Sequence, residues 1–326
     1  MDLSSSIFNI QNETEFEELA LKVFKFQFEN NLIYRSFCDL LYITPSDVKQ
    51  VEQIPFLPIQ FFKTHKIISN SISEQIIFSS SGTTGAVTSK HFVSDVSIYE
   101  KSFFKGFQYF YGDVKDYVIL ALLPSYLERD GSSLVFMVDQ LIKSSSNPES
   151  GFYLDDIDTL AKTITELENR EQKALLIGVS FALLDLVEKH QFQLRHTIVM
   201  ETGGMKGRRE EMIRIELHQL LKAGFGVEQI HSEYGMTELL SQAYSKGNGI
   251  FNNPLWMKIL IRETEDERSI QKAGKSGGIN IIDLANINSC SFIATQDLGR
   301  VFNDGSFEVI GRYDHSDIRG CNLMIL

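Results

Sequence analysis

Residues 76–85 read IIFSSSGTTG: an apolar strand signal, Ile76 to Phe78, opening into serines, threonines and two glycines. A β-branched and aromatic run that ends in Gly, Ser and Thr marks a strand leaving a core for a loop. Beyond it the signals alternate. Val96, Tyr99, Phe103, Phe107 and Phe110 stripe one face of a helix. YVILAL at 117–122 is a buried strand, and Leu134–Ile142 and Ile157–Leu167 are helices. ALLIGV (174–179) and HTIVM (196–200) are strands around a helix near Phe181–His190, and Arg208–Lys222 is a helix closed by Gly224. This βαβα rhythm predicts an α/β layered core over 75–254.

The flanks differ in texture. Phe16, Leu19, Ala20, Val23 and Phe24 predict an N-terminal helix, with Thr14 and Glu17 as its capping box, and Pro55 and Pro58 hold an extended link. Residues 1–74 are therefore a helical region. From 255 the chain turns β-rich, with WMKILI, INIID, SFIAT, GRVF and FEVIG as short strands and Asp304-Gly305 as a hairpin signal. Residues 1–326 form one domain on this reading.

Composition narrows the function. The 326 residues are 43% hydrophobic and 23% charged, an ordinary globular mix that excludes disorder, collagen and coiled coil. With 31 basic and 43 acidic residues the net charge is −12, the wrong sign for a protein held to nucleic acid by its whole surface. The start, MDLSSSIFNI, has no basic residue before an apolar run, so no signal peptide is expected. The longest apolar run, Val118–Leu123, is far short of the roughly 20 residues of a membrane helix, so no span is expected. Three cysteines, Cys38, Cys290 and Cys321, with no C-x-x-C, fit a reducing compartment, so a cytoplasmic protein without a zinc site is expected.

Four motifs carry chemistry. In FSSSGTTG the glycines turn backbone N–H groups toward an anion and the hydroxyls add donors; no Lys-Ser/Thr follows, so it is not a Walker loop, and alone it serves equally as a surface turn. EYGMTE, Glu233–Glu238, sets an aromatic beside Gly, then Thr and Glu: a ring to stack on a base, a hydroxyl for a phosphate and a carboxylate for Mg²⁺, or else a helix start capped by Thr237. METGG, 200–204, puts bare backbone at a strand exit, as any β-to-α turn does. TQDLGR and GRYDHSDIRG offer Asp297 for a ribose diol and Arg312 for oxygens, or a surface ion pair.

Taken in order, SGTTG, a glycine pair, YGMTE, D-L-G and GRxD resemble the adenylate-forming enzymes from about Phe78 onward. IPFLPIQFFK, FSSSGTTG, SEYGMTELLSQAY, FIATQDLG and GRYDHSDIRGCNL resemble the acyl-protein synthetase (LuxE-like) family along almost the whole chain. Near the C-terminus the chain also resembles phenylacetate-CoA ligases. The resemblance implies the large adenylation domain of that superfamily, an α/β fold of layered sheets and helices with a β-rich C-terminal part. It implies that Ser80, Ser81, Gly82, Thr83, Thr84 and Gly85 wrap the ATP β- and γ-phosphates and that Gly203 and Gly204 flank adenine. It further implies that Tyr234 stacks on adenine, Thr237 bonds the α-phosphate, Glu238 holds Mg²⁺, Asp297 binds the ribose and Arg312 supports it.

Two departures stand out. Ala86-Val87-Thr88 follow the loop where the superfamily has Pro-Lys, with Lys90 the nearest cation. The sequence also stops near the hinge, where relatives continue into a small domain of roughly a hundred residues bearing a catalytic lysine. That small domain is expected to be lacking. Cys321, beyond Arg319-Gly320, is the expected acyl acceptor, because the family is acylated on a cysteine near its C-terminus and a guanidinium nearby favours a thiolate. Cys290 is expected to be a core residue, and His91 and His231 hydrogen-bonded core histidines. The expected reaction turns a carboxylic acid, in this family a fatty acid, and MgATP into acyl-AMP. Acyl transfer to Cys321 follows, then transfer to a reductase or carrier protein. An acyl-CoA ligase with a borrowed lid domain and a non-catalytic nucleotide- or acyl-binding subunit are the rival readings.

Overall fold

The computed structural model describes residues 3–69, 73–80, 87–124, 131–203, 212–266 and 268–312. Three helices open the chain: α1 (Leu3–Ile7), α2 (Glu13–Asn30) and α3 (Leu32–Leu40). The N-cap of α2 is Asn12, not Thr14 with Glu17 as a capping box. Asn12 Oδ1 accepts the Glu15 N–H at 3.0 Å, and the Glu15 carboxylate accepts the Gln11 N–H at 2.9 Å. Thr14 is already helical, and Glu17 reaches out to Lys258 at 3.5 Å. The proline link forms β1 (Leu57–Pro58) and the single turn α4 (Phe61–Thr64). A separate hairpin follows, β2 (Ile76–Ser79) against β3 (Lys90–Val93).

The alternating region holds α5 (Val96–Tyr111), β4 (Val118–Leu122), α6 (Ser133–Ser145), β5 (Gly151–Phe152), α7 (Ile157–Asn169) and β6 (Ala174–Val179). It continues with α8 (Ser180–Lys189), β7 (Thr197–Thr202), α9 (Arg214–Phe225) and β8 (His231–Tyr234). β5, β4, β6, β7 and β8 are parallel neighbours in that order. Every residue of β4 and β6 is buried, as expected of strands covered by helices on both faces. Tyr99, Phe103 and Phe107 on α5 are buried too, so most of that stripe is core. α9 ends one turn later than the sequence suggests. Gly226, at φ +67°, takes the left-handed position after the helix; Gly224 lies inside it, where a Cβ would come within 2.4 Å of Val187. The expected start of this helix at Arg208 lies outside the described residues.

The sheet then changes character. β9 (Ala243–Ser245) runs antiparallel to β8, and β10 (Ile250–Asn252), β11 (Met257–Arg262), β12 (Ser276–Asp283), β13 (Phe292–Val301) and β14 (Phe307–Arg312) extend it. Among the described residues it orders as β11-β12-β13-β14-β10-β9-β8-β7-β6-β4-β5, with β1 beside β13. SFIAT and GRVF, expected as two strands, are the single strand β13. Its register shifts at Leu298/Gly299, where a Cβ would meet the Glu308 carbonyl at 2.6 Å. Asp304-Gly305 does turn β13 into β14.

The helical N-terminus is bolted to the β-rich part by amides rather than by apolar packing alone. Gln27, fully buried on α2, donates to the Asn286 and Ile287 carbonyls at 3.1 and 2.8 Å and accepts the Ser291 N–H at 3.0 Å. Asn31 donates to the Ser289 carbonyl at 2.8 Å. Gln27→Leu would strand these backbone groups in the interior, so urea unfolding should report a loss of about 2–4 kcal/mol. A variant within about 0.5 kcal/mol of wild type, the range of an ordinary surface change, would show that the bolt does not hold the regions together.

Candidate active site

The site gathers where the parallel strands end, the usual ligand crevice of such sheets. Ser80 follows β2. Its N–H donates to the Ser89 carbonyl at 3.1 Å and its hydroxyl accepts the Ser89 N–H at 2.9 Å, closing the base of the Ser/Gly/Thr loop. The Ser89 hydroxyl lies near enough to the Glu238 carboxyl to favour its charged form, and Glu238 is 6% exposed. Burial raises the pKa of Glu238, opposed by that hydroxyl and by the charges of Arg312 and Lys63. The EYGMTE segment therefore reaches the loop through Glu238. It starts no helix: after Tyr234 it turns and runs into β9.

Two buried residues grip the turn from behind. His91 on β3 approaches the Thr237 carbonyl through Nδ1 at 2.8 Å and the Asn286 side-chain oxygen through Nε2 at 2.9 Å. Asn286 in turn donates its amide N–H to the Glu238 carbonyl at 2.7 Å. Both partners are oxygens that can only accept, so a neutral ring donates to one of them at a time. Burial pulls the His91 pKa down to about 4, and the neutral ring thus has one proton before two oxygens. Next along, the Asp283 carboxylate accepts the Leu240 and Ser241 N–H groups at 2.8 and 3.0 Å and the Ser241 hydroxyl at 2.6 Å. Burial still holds Asp283 up at about 6.

A second cluster forms at the edge of β8. The Tyr234 hydroxyl donates to Asp297 Oδ2 at 2.8 Å, and Arg312 Nε donates to Asp297 Oδ1 at 3.0 Å. Asp297 is 7% exposed on β13, opposite Arg312 in the β13–β14 register. The Tyr234 ring meets Phe251 and Phe307 at 60° and 73°. Thus Tyr234, Asp297 and Arg312, 63 and 15 residues apart in pairs, share one carboxylate.

Sequence reasoning missed a third group. Glu233, one residue before Tyr234, accepts the Thr202 hydroxyl across β7–β8 at 2.6 Å, and burial with the nearby Glu201 charge pushes its pKa up to about 7. Glu201 is buried on β7, 3.7 Å from Arg214 Nε and 3.5 Å from His218 Nε2. Ser180 at the start of α8 donates to the Gly203 carbonyl at 2.8 Å. An acid inside a strand pair leaves no sequence signal beyond its place beside YGMTE. Lys63, from the short α4 turn, was missed for the same reason.

Of the expected site residues, Ser80, Gly203, Tyr234, Thr237, Glu238, Asp297 and Arg312 are described. Ser81, Gly82, Thr83, Thr84, Gly85, Gly204 and Cys321 lie outside the described residues. Cys290 is buried, its thiol pKa driven up by burial. His231 sits 3.2 Å from the Tyr111 hydroxyl and, mainly through burial, its pKa falls to about 4. A Mg²⁺ ion fits the donors present. Glu238 is a hard oxygen ligand whose buried charge gains from a counter-ion, and Mg²⁺ commonly takes one carboxylate plus substrate phosphates. Among the described residues no group of three or more His, Cys, Asp or Glu forms a cage of its own. No helix among them is long and apolar enough to cross a membrane.

The fold is that of the large domain of adenylate-forming enzymes. ATP-bound MatB from Rhodopseudomonas palustris matches with TM-score 0.54 and 16% identity, over 72% of this chain and 47% of that one. O-succinylbenzoate coenzyme A synthetase (MenE) from Bacillus subtilis, with AMP, matches with TM-score 0.50 and 18% identity over 74% and 49%. A 2-hydroxyisobutyryl-CoA ligase with 2-HIB-AMP and CoA matches with TM-score 0.66 and 11% identity over 94% and 72%. The chain spans about half the length of the first two. No curated protein matches it in sequence. The pattern of the acyl-protein synthetase LuxE family covers residues 3–326, and the chain belongs to that family.

Glu233 yields a pH test. Its folded pKa of about 7 lies above the ordinary 4.5, so between those values the folded state binds the extra proton. Stability contributed by this group is present at lower pH and is lost as pH rises through 7, by about 1 kcal/mol between pH 6.5 and 8. Glu233→Gln keeps the Thr202 contact and should flatten that slope in urea unfolding at the two pH values. An unchanged slope would assign it to other groups.

Proposed function

We propose that the protein activates a carboxylic acid, a fatty acid by its family, with ATP. The carboxylate attacks the α-phosphorus, the bond to the β-phosphate oxygen breaks, and acyl-AMP and pyrophosphate form. The Cys321 thiolate then attacks the acyl carbon, releasing AMP and leaving a thioester, and a thiol on a reductase or carrier protein takes the acyl group. The observation that carries this reading is the meeting of Ser80, Ser89 and Glu238 near the Tyr234–Asp297–Arg312 cluster, with Arg312 charge acting on both carboxylates.

The residues divide the work. Ser80 and the loop it starts offer N–H and hydroxyl donors to the phosphates. Thr237 offers a hydroxyl to the α-phosphate, whose charge grows during attack. Tyr234 and Asp297 seat the nucleoside, Gly203 lends bare backbone beside the base, and Arg312 balances charge. Glu238 would hold Mg²⁺, which when bound supplies neutralisation of phosphate charge. Such preorganised donors count for more than a proton-transfer base in this chemistry.

Incubation with ATP and labelled fatty acid tests the sequence of steps. Wild type should exchange pyrophosphate and carry a hydroxylamine-sensitive label. Cys321→Ser should lose the label and keep exchange, because adenylation precedes the thiol, and Cys290→Ser should keep both. Glu238→Gln should lose exchange by roughly 100-fold or more. Exchange without thioester in wild type would make the protein an adenylating enzyme whose acceptor lies elsewhere, and release of acyl-CoA when coenzyme A is added would make it an acyl-CoA ligase.

A further inference from the structure

We propose that His91 and Asn286 are positioning residues for the proposed nucleotide site: together they clamp the two peptide carbonyls of the Thr237–Glu238 turn and so fix the direction of the Glu238 side chain. The proposal rests on the reading of Thr237 and Glu238 given above.

The turn closes on itself through one bond, from the Leu239 N–H to the Met236 carbonyl at 3.0 Å, which leaves the Thr237 and Glu238 carbonyls to other partners. Between β8 and β9 the carbonyls of Thr237 and Glu238 point inward, away from any strand ladder. Each meets one side chain: His91 at the Thr237 carbonyl, 2.8 Å, and Asn286 at the Glu238 carbonyl, 2.7 Å. Fixing the peptide planes on either side of Glu238 fixes where its Cα–Cβ bond points. Both clamp residues are fully buried and contact each other at 2.9 Å, so they act as one part.

His91 also ties the turn to the loop. It lies on β3 two residues after Ser89, which pairs with Ser80 where the loop begins. The strand that leaves the loop thus holds the turn by the Thr237 carbonyl. Asn286 brings in the third partner, the buried segment after β12 whose Asp283 already holds Leu240 and Ser241. The Tyr234–Asp297–Arg312 cluster makes none of these contacts. Releasing the clamp should therefore spare nucleoside binding and spoil the contribution of Glu238.

The test uses His91→Phe, which keeps a ring against Phe62 but removes both nitrogens, Asn286→Leu, the double variant, and the milder His91→Gln, whose amide can still donate to Thr237. Calorimetric ATP binding without Mg²⁺ should stay within about 3-fold of wild type. The tightening of ATP binding by added Mg²⁺ should disappear in the Phe and Leu variants. Pyrophosphate-exchange kcat should fall at least about 30-fold while the KM for the acid moves less than about 2-fold. The double variant should be no worse than the poorer single one, since the pair works as a unit. His91→Gln should recover most of the loss.

Folded variants with the wild-type Mg²⁺ effect and exchange overturn the clamp. So does an equal loss in Mg²⁺-free ATP binding, acid KM and kcat, which would mean general loosening. If the Phe and Leu variants do not fold, His91→Gln decides: a measurable drop in the Mg²⁺ effect supports the clamp and none overturns it. A wild type that binds no ATP refutes the functional reading and the clamp with it, whereas normal wild-type binding beside unaffected variants refutes the clamp alone.

Discussion

The structure depends on the solvation of one buried polar segment, residues 283–291. Asp283, Asn286, Ser289, Cys290 and Ser291 are all 2% exposed or less. Such a stretch survives only if every donor and acceptor is met, since each buried group left unpaired costs about 1–3 kcal/mol. Its own secondary structure meets few of them. Gln27 and Asn31 come from the first helices, Ser289 reaches back to the Ile67 carbonyl at 2.8 Å, and His91 arrives from the β2–β3 hairpin. Four distant parts of the chain are thereby obliged to meet at one place. Apolar packing alone would tolerate some sliding between them; a set of directional bonds does not.

That constraint explains why the helical N-terminus and the hairpin belong to the working part of the molecule. The parallel strands bring Thr202, Gly203 and Tyr234 to one edge by topology, and the crevice there follows from the fold. Topology does not place the phosphate loop, because β2 and β3 form a sheet of their own outside the main one. Among the described residues, His91 joins the hairpin to the turn around Glu238, and Phe78 packs it against Tyr99 and Phe136. In a chain of net charge −12, drawing a polyanion there also needs local cations. Arg312 and Lys63, the two whose charge lowers the pKa of Glu238, supply them.

The elements that were legible in the sequence are those whose determinants are local or periodic. β4 and β6 announce themselves as apolar runs, α5 as a stripe, and β13–β14 as Asp-Gly between strands. The errors lie where two candidates compete within a turn. Thr14 and Asn12 both qualify as caps, and Gly224 and Gly226 both as helix stops; tertiary contacts to Lys258 and Val187 decide between them. The motif residues were legible through order along the chain, yet their partners were not. His91 looks like any histidine, because its meaning lies in residues 146 and 195 positions away. Glu233 was passed over because a carboxylate in a strand normally faces water, and only the pairing of β7 with β8 turns it inward.

The Asp297 carboxylate shows how such a site can be held rigid and still take a ligand. It already accepts from Tyr234 and Arg312, one on each oxygen. A carboxylate offers about four lone-pair sites, so two remain for the hydroxyls of a diol, and neither protein partner has to leave. Its two partners differ in kind. Tyr234 is locked by aromatic contacts to Phe251 and Phe307, whereas the Arg312 side chain is 75% exposed at the last described residue of β14. The acceptor is therefore aimed by its half-buried partner and charge-balanced by its exposed one. In the proposed reaction those duties fall at different moments: aim matters when the nucleotide enters, and charge matters when pyrophosphate leaves. Placing them on separate residues lets Arg312 shift with the charge without disturbing the seat of the nucleoside.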